Sequence, residues 1–207
     1  MSHDFTSFFL SWLSNPLRVG AVAPSSNALA DIMTSAITPA SGPVIELGPG
    51  TGVFTQKLLQ KGLRQEDLIL IEYGSDFVRT LQLRFPGAQV IWMDATRLAA
   101  MPIAAHHSIG TVVSGLPLLT MSPRKVISIL VGAFRYLRAD GAFYQFTYGP
   151  RVPIPRPILD RLSLKATVVG HTFSNLPPAT VYRLTRRAPS RLIFPPQQNP
   201  ARVQAQM

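Results

Sequence analysis

The stretch Val44-Ile45-Glu46-Leu47-Gly48-Pro49-Gly50-Thr51-Gly52 decides how this chain folds. It begins as a short apolar strand, continues with glycine at every second position, and leads into a helical pattern over residues 52–61. Glycine lets the backbone adopt conformations barred to other residues and approach a ligand closely. In α/β sheets, ligands bind beyond the carboxyl end of a strand, at the start of the next helix. The stretch therefore predicts a strand–turn–helix unit with a ligand site at its turn.

The rest of the chain alternates between strand and helix patterns. We predict strands over residues 43–47, 68–73, 89–93, 109–114 and 142–147, and further helices over residues 75–85 and 123–137. Such alternation indicates a parallel sheet with helices on both faces. Two last strand patterns, 166–173 and 180–187, have no helix between them and predict a hairpin. This is an α/β, Rossmann-like architecture of the class I methyltransferase type, with a mostly parallel seven-stranded sheet that ends in a β-hairpin.

Two segments flank this predicted domain. We divide the chain into N-terminal helices (1–40), the Rossmann-like domain (41–187) and a basic, proline-rich tail (188–207). Apolar residues at helical spacing predict an N-terminal amphipathic helix, with Phe5, Phe8, Phe9, Trp12 and Leu13 on one face. This helix either packs on the domain as a lid or lies in a membrane interface, where Arg18 could meet phosphate. A second helix should run from Ser25 or Ser26 to about Ile37.

The glycine spacing predicts which cofactor binds. A dinucleotide-binding turn would place its third glycine at position 53, but Val53 stands there and the third glycine is at 52. That spacing matches the acidic-x-Gly-x-Gly-x-Gly motif of S-adenosylmethionine enzymes. Glu72 and Asp94 end the next two strands, where carboxylates can accept from the ribose hydroxyls and the adenine amine. Singly, Glu72 could be a solvated carboxylate and Asp94 a helix cap, but acids at the ends of three successive strands, with the glycine turn after the first, favour a cofactor site.

The predicted cofactor contacts gather at one edge of the sheet. They are Glu46, Gly48, Pro49, Gly50, Thr51, Gly52, Glu72, Tyr73, Asp94, Ala95 and Ser114. Among them, Glu46 should order the turn and reach the methionine amino group through water.

Composition excludes some chemistry and indicates an anionic partner. The absence of cysteine excludes disulfides, thiol catalysis and zinc–thiolate sites, and with four scattered histidines we expect no metal. Residues 1–95 carry a net charge of −2, whereas residues 96–207 carry +12. This asymmetry favours nucleic acid or anionic lipid as a partner over charge kept for solubility alone. No apolar run reaches the roughly 20 residues that cross a bilayer, and no signal-peptide pattern is present, so we expect a cytoplasmic or peripheral protein.

The end of the fourth predicted strand bears on the acceptor. Adenine-N6 methyltransferases place Asn or Asp, two prolines and an aromatic residue there. This chain reads Ser114-Gly115-Leu116-Pro117-Leu118, with Ser114 in place of the amide and Leu118 in place of the aromatic residue. Because the flipped base stacks on that aromatic residue, its absence here weakens the alternative of an RNA adenine N-methyltransferase.

The chain resembles bacterial phospholipid N-methyltransferases of the soluble, S-adenosylmethionine-dependent type. The resemblance spans roughly residues 5–187 and is carried by residues 16–26, 44–55, 114–118 and 175–182. It implies methylation of phosphatidylethanolamine, and of its mono- and dimethyl derivatives, toward phosphatidylcholine, with S-adenosylhomocysteine as product. It also implies a cytoplasmic enzyme on the inner face of the cell membrane. The N-terminal helix would dock on anionic lipid, with Phe5, Phe8, Phe9, Trp12 and Arg18 as the membrane contacts.

The acceptor amine must lose a proton before it attacks the methyl group. Tyr144, Tyr148, His106 and His171 are candidate bases, and water could suffice. Tyr148 is the preferred acceptor contact because its ring could hold a methylated ammonium by cation–π attraction, although an ordinary strand-end tyrosine fits the pattern as well. We name Tyr148 and Ser114 as catalytic candidates.

The predicted acceptor contacts flank the ends of the predicted strands. They are Ser25, Ser26, Pro117, Tyr144, Tyr148 and Arg151. Arg151 lies in a proline-rich segment that could grip the lipid phosphate. We expect a monomer, and a non-catalytic S-adenosylmethionine-binding protein remains a further alternative.

Overall fold

A single sheet organises the part of the chain that the computed structural model describes, residues 24–101, 108–174 and 178–187. Its strands are β1 Val44–Leu47, β2 Leu68–Glu72, β3 Gln89–Trp92, β4 Ile109–Ser114, β5 Leu137–Tyr148, β6 Leu164–Thr172 and β7 Ala179–Arg186. The α-helices are α1 Pro24–Thr34, α2 Val53–Gln60, α3 Ser75–Arg84, α4 Pro123–Tyr136 and α5 Arg156–Arg161. Short 3-10 turns cover Pro39–Ser41, Gln65–Asp67, Ala95–Ala100 and Leu118–Thr120.

The strand order places the ligand site. Within the described residues the order is β3-β2-β1-β4-β5-β7-β6. Strands β1 to β5 pair in parallel, and β7 pairs antiparallel with β5 and β6. The predicted seven-stranded, mostly parallel sheet with its terminal hairpin is confirmed. The chain order reverses between β1 and β4, and ligands of open α/β sheets bind beyond the strand ends at such a point.

Two apolar clusters cover the faces of the sheet. On one face α4 and α5 contribute Val126, Ile129 and Leu159, and on the other α1, α2 and α3 contribute Met33, Leu58 and Leu81. All four residues of β1 are buried, as a central parallel strand covered on both faces requires. A 2.7 Å ion pair between Lys57 Nζ and an Asp31 carboxylate oxygen also joins α2 to α1. The strand ends are therefore held on a packed scaffold.

Some boundaries differ from the sequence prediction. Helix α1 ends at Thr34 instead of Ile37, yet Ile37 remains buried because the following turn folds back onto the core. The proline-rich segment, expected to be a plain connection, leads into α5. Pro157 occupies the first turn of α5, where the missing N–H of proline leaves no hydrogen bond unmade.

Several predictions fall outside the described residues. These include the amphipathic helix with Phe5, Phe8, Phe9, Trp12 and Arg18, the segment 102–107 with His106, and the tail 188–207. The proposed domain boundaries likewise stay predictions. Among the described helices, none is long and apolar enough to cross a membrane.

Candidate functional site

The glycine turn follows β1 at the carboxyl edge of the sheet. Gly50 has a φ of 55° and Gly52 a φ of 82°, both in the left-handed region that favours glycine. A Cβ on Gly52 would stand 2.6 Å from Phe85 Cε2, so packing excludes a side chain there. A Cβ on Gly50 would meet nothing within 4 Å. The turn is thus packed against the protein at Gly52 and open at Gly50, where a ligand could approach the backbone closely.

Glu72, at the end of β2, binds three backbone amides. Its Oε2 accepts from Gly50 N at 3.0 Å, and its Oε1 accepts from Tyr73 N and Gly74 N at 2.8 Å each. The carboxylate therefore fixes the glycine turn and the N-terminus of α3, where Gly74 takes the capping position. A carboxylate has about four lone-pair positions, so Glu72 retains acceptor capacity for a ligand hydroxyl.

Glu46 lies beneath the turn, fully buried in β1. Thr55 Oγ1 in α2 donates to its Oε2 at 2.7 Å, and Oε1 has no partner among the described residues. Burial raises the pKa of Glu46 to about 7 from an ordinary 4.5, with the Thr55 hydrogen bonds opposing the shift and the charge of Glu72 adding to it. This geometry places Glu46 where it can order the turn, and its unpaired oxygen leaves room for one further donor.

A cavity of about 370 Å³ lies at the ends of β2 and β3. Tyr73 and Trp92 line it with exposed rings, and Trp92 Nε1 donates to Tyr73 O at 2.9 Å. Asp94 also lines it, and its Oδ1 accepts from Thr96 N at 2.8 Å, which caps the turn Ala95–Ala100. Asp94 thus has the helix-cap role considered as its alternative. The Ala95 side chain is buried in the core, so a ligand contact there would fall to its main chain.

A larger cavity, of about 970 Å³, lies at the ends of β4, β5, β6 and β7. The described part of the chain gives it a mostly apolar lining that holds no carboxylate, lysine or arginine: Leu116, Pro117, Leu118, Leu119, Thr120, Phe146, Thr147, Tyr148, Gly149, Pro150, Pro153, His171, Phe173, Pro178, Ala179 and Thr180. Leu119 and Phe173 are 62% and 84% exposed at its rim. Ligand pockets are typically apolar spaces of about 300–1,000 Å³ with a few polar groups, and this cavity fits that description.

The predicted acceptor residues reach this cavity unevenly. Pro117 and Tyr148 line it, and the Tyr148 ring packs edge-on against Phe146 with centroids 5.6 Å apart. Arg151 is exposed and immediately follows the lining residue Pro150. Ser114 is fully buried, and its Oγ accepts from Leu116 N at 3.3 Å.

Tyr144 does not line this cavity. It is 4% exposed and belongs to the same core cluster as α1, because it lies two positions deeper on β5 than Phe146, on the same side of the strand. Ser25 and Ser26 lie at the start of α1. His171 does line the cavity, and its Nδ1 lies 3.0 Å from Thr180 Oγ1.

Sequence reasoning missed two side chains at this edge. Trp92 was read only as a strand residue, although a tryptophan at the end of a strand, two positions before Asp94, could have indicated a ring-binding surface. Gln145 interrupts the apolar run of β5 and is 1% exposed. A buried side-chain amide needs hydrogen-bond partners. A glutamine within an apolar strand is therefore the sequence signal that could have indicated a specific role for Gln145.

Comparison with known proteins supports the fold. No protein-family model matches the sequence, and no curated protein matches it either. Among solved structures, a TehB-like S-adenosylmethionine-dependent methyltransferase from Corynebacterium glutamicum is similar, with a TM-score of 0.58 and 12% identity over 90% of this chain and all of that one. A Burkholderia thailandensis 1,6-didemethyltoxoflavin-N1-methyltransferase, solved with its acceptor and S-adenosylhomocysteine, has a TM-score of 0.58 and 14% identity over 89% and 91%.

A third similar structure is the glycopeptide N-methyltransferase MtfA, solved with S-adenosylmethionine. Its TM-score is 0.57, with 14% identity over 80% of this chain and 96% of that one. Two of these three neighbours thus hold S-adenosylmethionine or S-adenosylhomocysteine, which is consistent with the cofactor predicted from the glycine spacing. At these identities the likeness concerns the fold, and this chain has the Rossmann-like fold of class I methyltransferases.

Proposed function

We propose that this chain is an S-adenosylmethionine-dependent methyltransferase that N-methylates phosphatidylethanolamine and its mono- and dimethyl derivatives at a membrane surface. The observation that carries the proposal is the large apolar cavity beside the glycine turn. A single segment, residues 114–118, separates the two, because Leu116 both contacts Gly48 and lines the cavity. A ligand in the cavity would therefore lie next to a cofactor at the turn.

The cofactor part of the proposal rests on how the described residues fit S-adenosylmethionine. The open space at Gly50 admits a ligand close to the backbone. Glu72 offers an acceptor for ribose hydroxyls, and the buried Oε1 of Glu46 offers one for an ammonium or a bound water. The exposed rings of Tyr73 and Trp92, with Asp94 beside them, suit a flat base that carries an amino group.

The lipid part rests on the lining and rim of the cavity. Among the described residues, the mostly apolar lining includes no carboxylate, lysine or arginine, which favours a ligand with hydrocarbon chains over a nucleotide, whose phosphates would need cationic or N–H partners. The exposed Leu119 and Phe173 place apolar surface at the entrance, where it could contact the acyl region of a bilayer. Such a rim lets a lipid move from membrane to cavity without crossing water.

Basic side chains near this edge would attract anionic lipid. Arg124 and Lys125 are exposed in the first turn of α4, directly after the rim, and Arg151 is exposed beside Pro150. Between residues 95 and 159 the single acidic residue is Asp140. Asp140 lies at the opposite end of the sheet, 2.9 Å from Arg138 Nε. A Lys or Arg near an anionic leaflet contributes about 1 kcal/mol of attraction.

The reaction needs alignment more than acid–base chemistry. When bound, S-adenosylmethionine supplies an electrophilic methyl group. Holding the acceptor amine in line can provide roughly 7–11 kcal/mol of the barrier, and in this proposal the cavity wall and the Tyr148 ring would do so. The amine must first give up a proton, and among the described residues that line the cavity His171 and Tyr148 are the candidates to accept it.

A direct assay tests the proposal. The full chain is incubated with methyl-labelled S-adenosylmethionine and vesicles of phosphatidylethanolamine mixed with phosphatidylglycerol, and lipid products are separated. We expect labelled mono-, di- or trimethylated lipid. Label in RNA but not in lipid would favour the adenine N-methyltransferase alternative. Binding of S-adenosylhomocysteine without transfer to either would favour a non-catalytic binding protein.

A further inference from the structure

The segment between β4 and α4 is in direct contact with the glycine turn. Gly115 N donates to Leu47 O at 2.8 Å. A Cβ on Gly115 would stand 2.6 Å from Gly48 O, and one on Gly48 would stand 2.8 Å from Leu116 Cδ2. Close-packed groups transmit displacement to one another because no free space lies between them. A change at the glycine turn must therefore reach residues 115 and 116.

The same segment forms one wall of the large cavity. Leu116, Pro117 and Leu118 line the cavity, as do the next two residues of the chain. Leu118 N donates to Leu116 O at 2.9 Å, and Thr120 N donates to Pro117 O at 3.0 Å, so the wall is a compact turn. One side of residues 114–118 therefore contacts the glycine turn, and the other side lines the large cavity.

Gln145 fixes this segment from the other side. Its Nε2 donates to Leu116 O at 2.9 Å and to Phe146 O at 2.8 Å. Both amide hydrogens are thus used, while Oε1 is buried without a partner among the described residues. A flipped amide would bring Oε1 against two carbonyl oxygens, so the observed orientation is the favoured one. A buried, unpaired acceptor is unfavourable. Gln145 therefore carries a cost in stability that an apolar residue filling the core would not carry.

We propose that Gln145 is a positioning residue that couples the glycine turn to the acceptor cavity by holding residues 114–118 between them. The inference rests on the cofactor part of the proposed function and is independent of which acceptor is used. A ligand bound at the glycine turn restricts residues 114–118 from one side only. Gln145 supplies the second attachment, and with both in place the cavity wall becomes rigid.

Hydrogen exchange on the full chain, with and without S-adenosylhomocysteine, tests this. In the wild type we expect the ligand to slow exchange both in residues 48–52 and at the amides of Leu116, Leu118 and Thr120. Gln145→Met keeps the side-chain length but removes both donors. In this variant, protection of 48–52 should remain, while the ligand-induced protection of 116–120 falls about tenfold. Affinity for S-adenosylhomocysteine, measured by calorimetry, should stay within about threefold of the wild type.

Tyr182→Phe is the matched control. Tyr182 is the register partner of Gln145 on β7, is 3% exposed, and donates to Pro150 O at 2.6 Å. Its replacement removes a comparable buried hydrogen bond that does not reach residues 114–118, so ligand-induced protection should match the wild type. Gln145→Glu is a second variant, in which the protonated carboxyl can donate one hydrogen bond, so coupling should return as pH falls.

Three results would overturn the inference. Equal ligand-induced protection of residues 116–120 in Gln145→Met and the wild type would show that Gln145 does not mediate the coupling. Equal loss in Gln145→Met and Tyr182→Phe would indicate general destabilisation. A wild type that does not bind S-adenosylhomocysteine would remove the cofactor proposal and this inference with it, whereas binding without coupling would remove the inference alone.

Discussion

At the scale of single residues, Gly50 differs from the other glycines of the turn. Its left-handed φ favours glycine, but a Cβ on it would meet no atom of the described residues within 4 Å. Alanine there would place a methyl group where the ligand approaches. We predict that Gly50→Ala lowers the affinity for S-adenosylhomocysteine at least about tenfold, while a non-glycine residue at positive φ costs only about 1–2 kcal/mol of stability.

Gly62→Ala is the control for this experiment. Gly62 has a φ of 91°, but its Cβ would face Pro39 Cγ at 3.4 Å, away from the turn. The Gly62→Ala variant should lose a similar amount of stability, measured by thermal unfolding. Its affinity for S-adenosylhomocysteine, measured by calorimetry, should be unchanged. Equal affinities in both variants would show that Gly50 does not contact the ligand.

Glu46 predicts a pH dependence of stability. Its pKa is raised from 4.5 to about 7 by burial, so the folded state holds a proton that the unfolded state releases between these values. The contribution of Glu46 to the free energy of unfolding is therefore fully present below about pH 4.5. About 3 kcal/mol of this contribution is lost as the pH rises to 7. Glu46→Gln should abolish this fall and unfold at a higher temperature than the wild type at pH 8.

Thermal unfolding at a series of pH values measures the effect. Glu66→Gln is the control, because Glu66 is exposed and its replacement should leave the pH profile unchanged. A Glu46→Gln variant with the wild-type profile between pH 4.5 and 7 would contradict the predicted titration.

At the scale of elements, the rim joins the turn Leu118–Thr120 to the end of β6. Leu119 and Phe173 are exposed, so polar replacements should not unfold the protein. We predict that Leu119→Ser and Phe173→Ser together lower binding to phosphatidylethanolamine–phosphatidylglycerol vesicles at least about tenfold, because burying each side chain in lipid contributes about 1.5–3 kcal/mol. Vesicle co-sedimentation measures this.

Leu83 offers the control for the rim. It is 84% exposed on α3, outside the cavity lining, and Leu83→Ser makes the same replacement as Leu119→Ser. Vesicle binding by Leu83→Ser should equal that of the wild type. If the double rim variant and Leu83→Ser bind vesicles alike, the rim is not the membrane contact.

At the scale of the whole molecule, charge is divided between the two halves of the chain. Residues 96–207 carry +12 against −2 for the remainder. We predict that binding to phosphatidylglycerol vesicles weakens steeply as salt rises, because exposed charges are screened beyond roughly 8 Å at 0.15 M salt.

Arg124→Glu with Lys125→Glu should weaken binding about tenfold or more. Lys61→Glu with Arg79→Glu changes the net charge equally but should weaken binding less. Equal effects of the two pairs would assign binding to net charge alone.

The sequence by itself determined the fold and the position of the glycine turn. Alternating apolar patterns and the glycines at 48, 50 and 52 are local signals, and each depends on residues only a few positions apart. They were enough to predict the strands, the terminal hairpin and the strand end at which the glycine turn lies; the joint cofactor role of Glu46, Glu72 and Asp94 stays a prediction. The structure moved element boundaries by a few residues and added α5.

Only the tertiary structure decided what surrounds that turn. Glu72 meets Gly50 and Gly74, Gln145 meets Leu116, and Trp92 stands beside Tyr73. Tyr144 and Tyr148 both lie on β5, but one is buried in the core and the other lines the cavity. Such contacts join segments far apart in the chain, so they depend on strand register and packing. No local pattern encodes them, and for that reason the cavity that suggests the acceptor became visible only in the folded chain.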